Sequence, residues 1–474
     1  MTVTAAAWLA LFRGRYLAYT LLLSLGVGVH AFGIHLVATV LPSVVADIGG
    51  AAFYAWATML YIMASIMGTA CGGLVRARLD LRRGYAAGAL IVLIGWLGCA
   101  VAPHIAVLLA ARAVQGAGSG LLVALAYSMV GEFYAEVQRP RVLSAISGVW
   151  GIAALLGPMV GGVFAAGGWW RGAFWVAIPV LIVLASMAWY ILPVDDLDRA
   201  TGDFPALRLT LLGIGVLCVA ASGHVVPFVL RLVLIGSAVV LIGVAFRLDA
   251  SAATRLFPSQ PLSLRTSVGT ASWMFFLFGT TTSLVTVFLP LILHVLYGVS
   301  LLSAGYVNAL LSLSWTALAL CSASLRLRQV RRAVVFGPLL ILSGALGLRA
   351  CVVDGPLTIL GICVAIIGAG IGVCFAHISS WTMAAARTGE EALTAASIPT
   401  IQSLGIAFGA AVAGLVANAA GLALGVSPAA MASAAAWVYL LGIAPPAVMA
   451  VLAGRLLWLH RQRPHGPAPQ ASSG

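Results

Sequence analysis

The chain has 474 residues, 62% of them hydrophobic and only 8% charged, and its 25 basic against 12 acidic residues give a formal net charge of +13. A soluble globular chain carries about 25% charged residues, so a soluble enzyme of this size is excluded, as are a disordered chain and a secreted disulfide-rich one. Nucleic-acid binding is not implied either, because the cations are too few to coat a duplex and stand between apolar runs.

A helix that crosses a bilayer needs roughly 20 apolar residues, and the sequence meets that need repeatedly. Apolar runs predict spans at 17–43, 51–75, 84–103, 105–131, 142–166, 172–193, 207–223, 228–246, 268–296, 302–324, 333–350, 356–385, 395–420 and 430–457. The expected fold class is therefore an all-α integral membrane protein. Its expected organisation is an N-terminal six-helix bundle over 1–193, a linker with two extra transmembrane helices over 194–266, a C-terminal six-helix bundle over 267–458 and a disordered cytoplasmic tail over 459–474. Parity alone does not separate fourteen spans from twelve, since dropping 207–246 removes a pair; the length of that apolar stretch favours two spans.

Every basic residue is Arg, and arginine marks the loops that stay inside a bacterial cell. With the N-terminus inside, 21 of the 25 fall in inner segments, including Arg13 and Arg15, Arg76 to Arg83, Arg139 and Arg141, and Arg326 to Arg332. Arg171, Arg231 and Arg349 fall outside, and Arg112 lies within a span. Both termini are thus expected in the cytoplasm, with the chain in the inner membrane. Arg13 and Arg15 precede an apolar run too long for a cleavable signal. The seven cysteines sit in or beside apolar runs without a CxxC pair and read as small packing residues. No metal cluster, P-loop or nucleophile–base pair is apparent, so no cofactor, no ATP and no enzymatic reaction are expected.

The chain also resembles itself at a spacing of 248 to 254 residues. Arg76-Ala-Arg78-Leu-Asp80-Leu-Arg82-Arg83 with Gly88 is echoed by Arg326-Leu-Arg328-Gln-Val-Arg331-Arg332 with Gly337. Val40-Leu41-Pro42 is echoed by Phe288-Leu289-Pro290, and Gly151-Ile152-Ala153 by Gly405-Ile406-Ala407. The matches keep order and membrane side, the mark of two parallel six-span halves with a substrate site between them.

Several stretches are similar to motifs of the major facilitator superfamily, and more narrowly of its fourteen-span drug:proton antiporters. Ala111-Arg112-Ala-Val-Gln115-Gly116-Ala-Gly118-Ser-Gly120 resembles the family's RxxQGxGxG, and Leu156-Gly157-Pro158-Met-Val-Gly161-Gly162 its GPxxGG antiporter motif. Trp170-Arg171 through Phe174 to Pro179, and Trp56 with Tyr61, match two further patterns. The resemblance implies the major facilitator fold and proton-coupled efflux of lipophilic drugs or metabolites by alternating access, with a small-molecule substrate, the bilayer and protons as partners and the chain acting as a monomer. Two departures stand out. The first-span acid expected about nine residues before Leu41-Pro42 is replaced by Gly33, and Arg76 stands where the second loop of the family usually has Asp.

Candidate residues follow from this. Arg112 and Gln115 are expected in the transport core, because an ionised side chain in a span costs at least about 2.5–3.5 kcal/mol and needs interior partners. His35 and His30 are candidate coupling groups, since imidazole changes charge between about pH 5 and 8; each could equally be a neutral histidine bonded to a neighbouring helix. Gly116, Gly118, Gly120, Gly157, Gly161 and Gly162 remove side chains where helices slide, with Pro158 adding a kink. Arg76, Arg78 and Glu132 are expected to pair as a cytoplasmic gate. Trp273, Phe276, Thr280, His294, His377, Trp381 and Gln402 are candidate cavity-lining groups. A facilitator or importer of a small neutral or anionic solute without proton coupling, and a non-transporting scaffold or sensor, stay open as alternatives.

Overall fold

The computed structural model describes residues 11, 13–49, 54–194, 205–222, 225, 227–252, 255–299, 301–422 and 427–462. Among these residues every regular element is helical. The helices are α1 (Gly14–Ile48), α2 (Tyr54–Arg78), α3 (Leu81–Ala100), α4 (Ile105–Phe133), α5 (Arg139–Ala166), α6 (Trp170–Ile191), α7 (Ala206–Ser222), α8 (Phe228–Ala250), α9 (Ser267–Tyr297), α10 (Leu301–Ser322), α11 (Leu327–Cys351), α12 (Leu357–Ala384), α13 (Glu391–Ala419) and α14 (Pro428–Arg461). Thirteen are long and apolar enough to cross a membrane; the remaining one, α7, carries the shorter apolar stretch Ala206–Val219. The tail expected to be disordered lies, from 463 on, outside the described residues.

The helices overrun the apolar runs at their arginine-bearing ends. Arg76 and Arg78 belong to the last turn of α2, and α11 starts at Leu327, six residues before its apolar run. Long arginine stems can lie along apolar surface while the guanidinium reaches water. Three spans are interrupted. In α9 the turn falls at Val287 and Phe288, and in α14 at Gly442 and Ile443, with Pro290 and Pro445 in the first turn of the following segment. Proline donates no backbone hydrogen bond and clashes with the preceding turn, so the helix re-starts there. In α6 the break is at Val176, three residues before Pro179. Gly298 ends α9 with φ +65°, a left-handed cap that glycine adopts without steric penalty.

Pairing repeats in the two halves. In the first, α4 packs against α2 and α3, and α1 against α5; in the second, α12 packs against α10 and α11, and α9 against α13. The contacts correspond residue by residue. A Cβ at Gly116 or Gly120 would meet the Tyr61 or Ser65 carbonyl oxygen at 2.2 or 2.0 Å, and one at Gly368 or Gly372 would meet that of Leu311 or Trp315 at 2.1 or 2.3 Å. The α7–α8 hairpin lies over the seam where α2 and α13 meet: Gly213 abuts Met67, while Val219, Ala238 and Ala411 pack together. Outward-facing aliphatics such as Ile94, Val163 and Val451 are more than 60% exposed, a surface that hydrocarbon accepts and water does not.

Candidate functional site

Backbone-to-backbone packing around α4 creates the innermost polar site. Gly116 and Gly120 bring α2 against it, and Gly95 brings α3 so close that a Cβ there would lie 2.5 Å from the Gln115 nitrogen. Arg112, three residues before Gln115 on the same face, is sealed among these helices at 0% exposure. Its Nε donates to the Ala57 carbonyl at 3.1 Å and its Nη1 to Gln115 Oε1 at 2.6 Å, while the guanidinium lies 4.1 Å from the centre of the Tyr61 ring. Carbonyl dipoles and a ring face therefore do the work a carboxylate would do elsewhere. Arg112 Nη2 and Gln115 Nε2 are buried without a hydrogen-bond partner among the described residues.

Tyr61 links this cluster to α1. Its hydroxyl is 2.9 Å from His30 Nδ1 and 3.1 Å from the His30 carbonyl oxygen. A proton on Nδ1 lets the imidazole donate to the phenol while the phenol donates to the carbonyl, which satisfies both groups. The other side of His30 meets Trp150 of α5 edge-on, 5.7 Å between ring centres. The next residue, Gly151, touches Thr316 of α10, whose hydroxyl donates to the Ser147 carbonyl at 2.6 Å. A continuous path of contacts thus runs from Arg112 through Tyr61, His30 and Trp150 to the seam between the halves. His35 is half-buried on α1, with Nε2 buried and unpartnered among the described residues; Gly157 of α5 packs on it, its Cβ position 2.6 Å from that of His35. Gly33 faces the Arg112 cluster: a Cβ there would be 3.4 Å from Gln115 Nε2 and 3.7 Å from the Tyr61 hydroxyl.

The hydrogen bonds between the halves gather at the arginine-rich end. Ser128 donates to the Ala392 carbonyl at 3.2 Å, Ser144 to Ala319 at 2.7 Å, Ser380 to Glu136 at 3.5 Å, and Arg141 to the Ser324 hydroxyl at 3.4 Å. Beside them Arg76 and Glu132 form a forked ion pair with a shortest contact of 2.7 Å. Both belong to the first half, so this pair braces α2 against α4 and does not itself bridge the seam. Asp80 caps α3, accepting from the Arg83 backbone at 2.6 Å. At the other end Arg171 and Trp170 of α6 both donate to Asp47 of α1, at 2.7 and 3.0 Å. These bonds hold the Asp47 carboxyl below its ordinary pKa of 3.8.

The remaining candidates are dispersed. Trp273 is partly exposed and donates to the Leu262 carbonyl, and Phe276 packs on Trp273 and Phe408. Thr280 donates to the carbonyls of Phe276 and Gly405, tying α9 to α13. His294 is exposed and bonds Val299 locally, whereas His377 is buried against the Ser322 carbonyl. Trp381 stacks flat on His460, 4.0 Å between centres, at the arginine-rich end. Gln402 is half-buried on α13, where its carbonyl meets Gly279. Gly118 abuts Val92 and Gly161 abuts Val40, while Gly162 faces open space. Arg78 completes the basic end of α2 next to Arg76.

Sequence reasoning passed over two buried charges in the linker. Asp249, just past the expected end of the 228–246 span, is 2% exposed; it accepts from Arg208 at 2.5 Å and from the Leu256 and Phe257 backbones at 2.9 Å each. Arg231, expected outside, is also 2% exposed and donates to the Gly414 carbonyl of α13 at 3.0 Å. One acid and one base spaced 41 residues apart on a helical hairpin was the available signal.

Two six-span halves in parallel repeat, joined by a seam and holding a buried arginine inside the bundle, define a polytopic membrane protein of the transporter type. A sequence profile of the Major Facilitator Superfamily matches residues 23–410, and the chain belongs to that family. It is 30% identical over 438 residues to a probable multidrug-efflux transporter of Mycobacterium tuberculosis, covering 89% of this chain and 92% of that protein. It is 23% identical over 394 residues to the multidrug transporter protein MdtP of Bacillus subtilis, covering 81% and 72%. The fold is similar to that of the human organic anion transporter MFSD10 (TETRAN), with a TM-score of 0.66, 18% identity and coverage of 90% and 99%.

Proposed function

We propose that this protein is a bacterial inner-membrane exporter that exchanges small lipophilic molecules for protons by alternating access. The observation that carries the reading is the path from the buried Arg112 and Tyr61 through half-buried His30 to the seam at Trp150. A proton taken up by His30 places a second positive charge against the ring that already faces Arg112. That repulsion, in a medium of low dielectric, strains a set of contacts that leads from the Arg112 cluster to the seam, beside the direct α4–α13 contact at Ser128 and Ala392. Arginine placement orients both termini to the cytoplasm. In that orientation the hydrogen-bonded end is the cytoplasmic one, and the conformation described is closed to the cytoplasm. The names of the mycobacterial and Bacillus relatives support drug efflux. The test is transport of a lipophilic dye in proteoliposomes with and without an imposed pH gradient, comparing the parent with His30→Gln and His35→Gln. Gradient-driven transport lost in His30→Gln is the expected result. Transport indifferent to the gradient in the parent would refute proton exchange.

A second reading rests on a separate observation. Arg112 Nη2 and Gln115 Nε2 are buried donors without acceptors, and no carboxylate of the described residues joins them. A substrate with a carboxylate or another acceptor oxygen would satisfy both, which suits a small anionic or neutral solute carried without protons. Saturable uptake of such a solute in the absence of any gradient would favour it.

A further inference from the structure

We propose that the groove between α11 and α14 at the arginine-rich end is a binding site for the phosphate headgroup of an anionic phospholipid. The α11 wall follows from spacing. Arg328, Arg331, Arg332, Val335, Phe336 and Leu339 recur at steps of three and one, so they share one helical face. Across the groove α14 contributes Leu457 and Arg461, one turn apart, and together these residues enclose about 450 Å³.

Four guanidinium groups thus line one cavity whose walls contain no carboxylate. Their mutual repulsion is unrelieved within the groove, and Arg331 Nε is buried without a hydrogen-bond partner among the described residues. The first turn of α11 adds its partial positive charge to the same place. Guanidinium forks match a phosphodiester, taking two oxygens at once.

The apolar part of the groove selects a lipid over a free phosphate. Phe336 and Leu339 are 55% and 45% exposed and continue from the arginines along α11 into the apolar span. The eleven helical rises from Arg328 to Leu339 extend about 16 Å, enough to follow a headgroup and the upper part of an acyl chain. Exposed Trp458 on α14 stands at the same level, where amphipathic rings favour the membrane interface.

The experiment uses the delipidated full chain in neutral detergent and measures bound ligand by native mass spectrometry together with thermal unfolding. Phosphatidylglycerol is compared with phosphatidylcholine of the same acyl chains and with inorganic phosphate. Phosphatidylglycerol should be retained and should raise the unfolding temperature, while the other two should do neither. Each arginine near an anionic headgroup contributes about fivefold in affinity, so Arg328→Gln with Arg332→Gln should weaken binding about 25-fold. Both side chains are exposed, so the fold should stand; unfolding of the lipid-free variant checks this. Phe336→Ser should weaken the lipid and leave any phosphate response unchanged. Equal retention of phosphatidylcholine, an equal response to inorganic phosphate, or full binding by the double variant would overturn the proposal. None of these readouts depends on transport.

Discussion

The contact of α2 with α4 is among the closest backbone approaches in the molecule, and Gly116→Ala tests it. The added Cβ would lie 2.2 Å from the Tyr61 carbonyl oxygen and 2.9 Å from its carbon. A carbon and a carbonyl oxygen approach to about 3.3 Å without strain, so the helices have to part by about 1 Å. The clashing atom is backbone, and its neighbours are pinned in the same way: Gly120 against Ser65 and Gly68 against Ala117. Overpacking of this kind costs about 1–3 kcal/mol. The same displacement stretches the 3.1 Å bond from Arg112 to the Ala57 carbonyl past hydrogen-bonding range and adds about 1–3 kcal/mol for a buried donor left unpaired. Alanine's better helix propensity offsets about 1 kcal/mol, leaving a net loss of about 1–5 kcal/mol. Gly162→Ala is the internal control, since nothing lies within 4 Å of its Cβ position and a neutral or slightly stabilising effect is expected. Thermal unfolding of the purified variants, with dye transport beside it, reads both effects. Gly116→Ala unfolding with the parent, or Gly162→Ala suffering as much, would refute the packing argument.

Four further outcomes follow from the site. Arg112→Lys should transport no better than Arg112→Met, because a point charge cannot serve the Ala57 carbonyl, Gln115 and the Tyr61 ring together; dye efflux by Arg112→Lys near the parent's rate would count against the network. Glu132→Gln should lower stability by about 1–3 kcal/mol, between the values for exposed and buried pairs, and exchanging Arg76 and Glu132 should recover part of it in thermal unfolding, since both side chains are less than 20% exposed. Asp47→Asn should loosen the α1–α6 contact equally at pH 5 and pH 8: a depressed folded pKa means the contribution is present above 3.8 and fades only as pH falls below that value, so a difference between the two melting shifts would be inconsistent with it. Gly33→Asp should fold, its Cβ being at ordinary contact distances, and should shift the pH profile of transport by placing a carboxylate beside Gln115; an unchanged profile would argue against Gly33 facing the functional cluster.

Much of the architecture was legible because the membrane makes a simple demand. Backbone groups in hydrocarbon have to be satisfied within the segment, so apolar run length predicts helices directly. The repeat was legible in the arginine loops, the Leu41-Pro42 and Leu289-Pro290 pairs and Gly151 with Gly405; the structure adds Gly116 and Gly120 with Gly368 and Gly372, since both pairs face a carbonyl row of the neighbouring helix. The helix ends were less so, since arginine belongs to helix α2 and to the interface at once. The site was only half legible. Arg112, Gln115, Tyr61 and His30 each stood out, but their junction depends on three helices meeting, and no spacing on α1 points to Tyr61 rather than to another neighbour. The hydroxyl run on α9 shows the opposite limit. Thr280, Thr281 and Thr282 each donate to the carbonyl four residues earlier, and only Thr280 reaches beyond the helix, to Gly405, so an apparently polar stripe is spent mostly on its own helix.

The scarcity of acid has a structural consequence. Five carboxylates among the described residues are engaged near helix ends: Asp47 with Arg171, Asp80 at a cap, Glu132 with Arg76, Asp249 with Arg208 and Glu390 with Arg255. Inside the first bundle the ionisable groups that meet are Arg112 and His30 across Tyr61, with Gly33 in place of a side chain beside them. Where a carboxylate couples transport, a proton removes charge from the core; under the proposed mechanism a proton on His30 would instead add charge beside Arg112. Protonation and a cationic substrate would then repel each other in the same space, whereas a neutral or anionic substrate would be tolerated or favoured. Under the proposed mechanism the substrate preference and the coupling chemistry would be two readings of one feature, Gly33 standing where the resemblance leads one to expect an acid, next to an arginine with no counter-ion among the described residues.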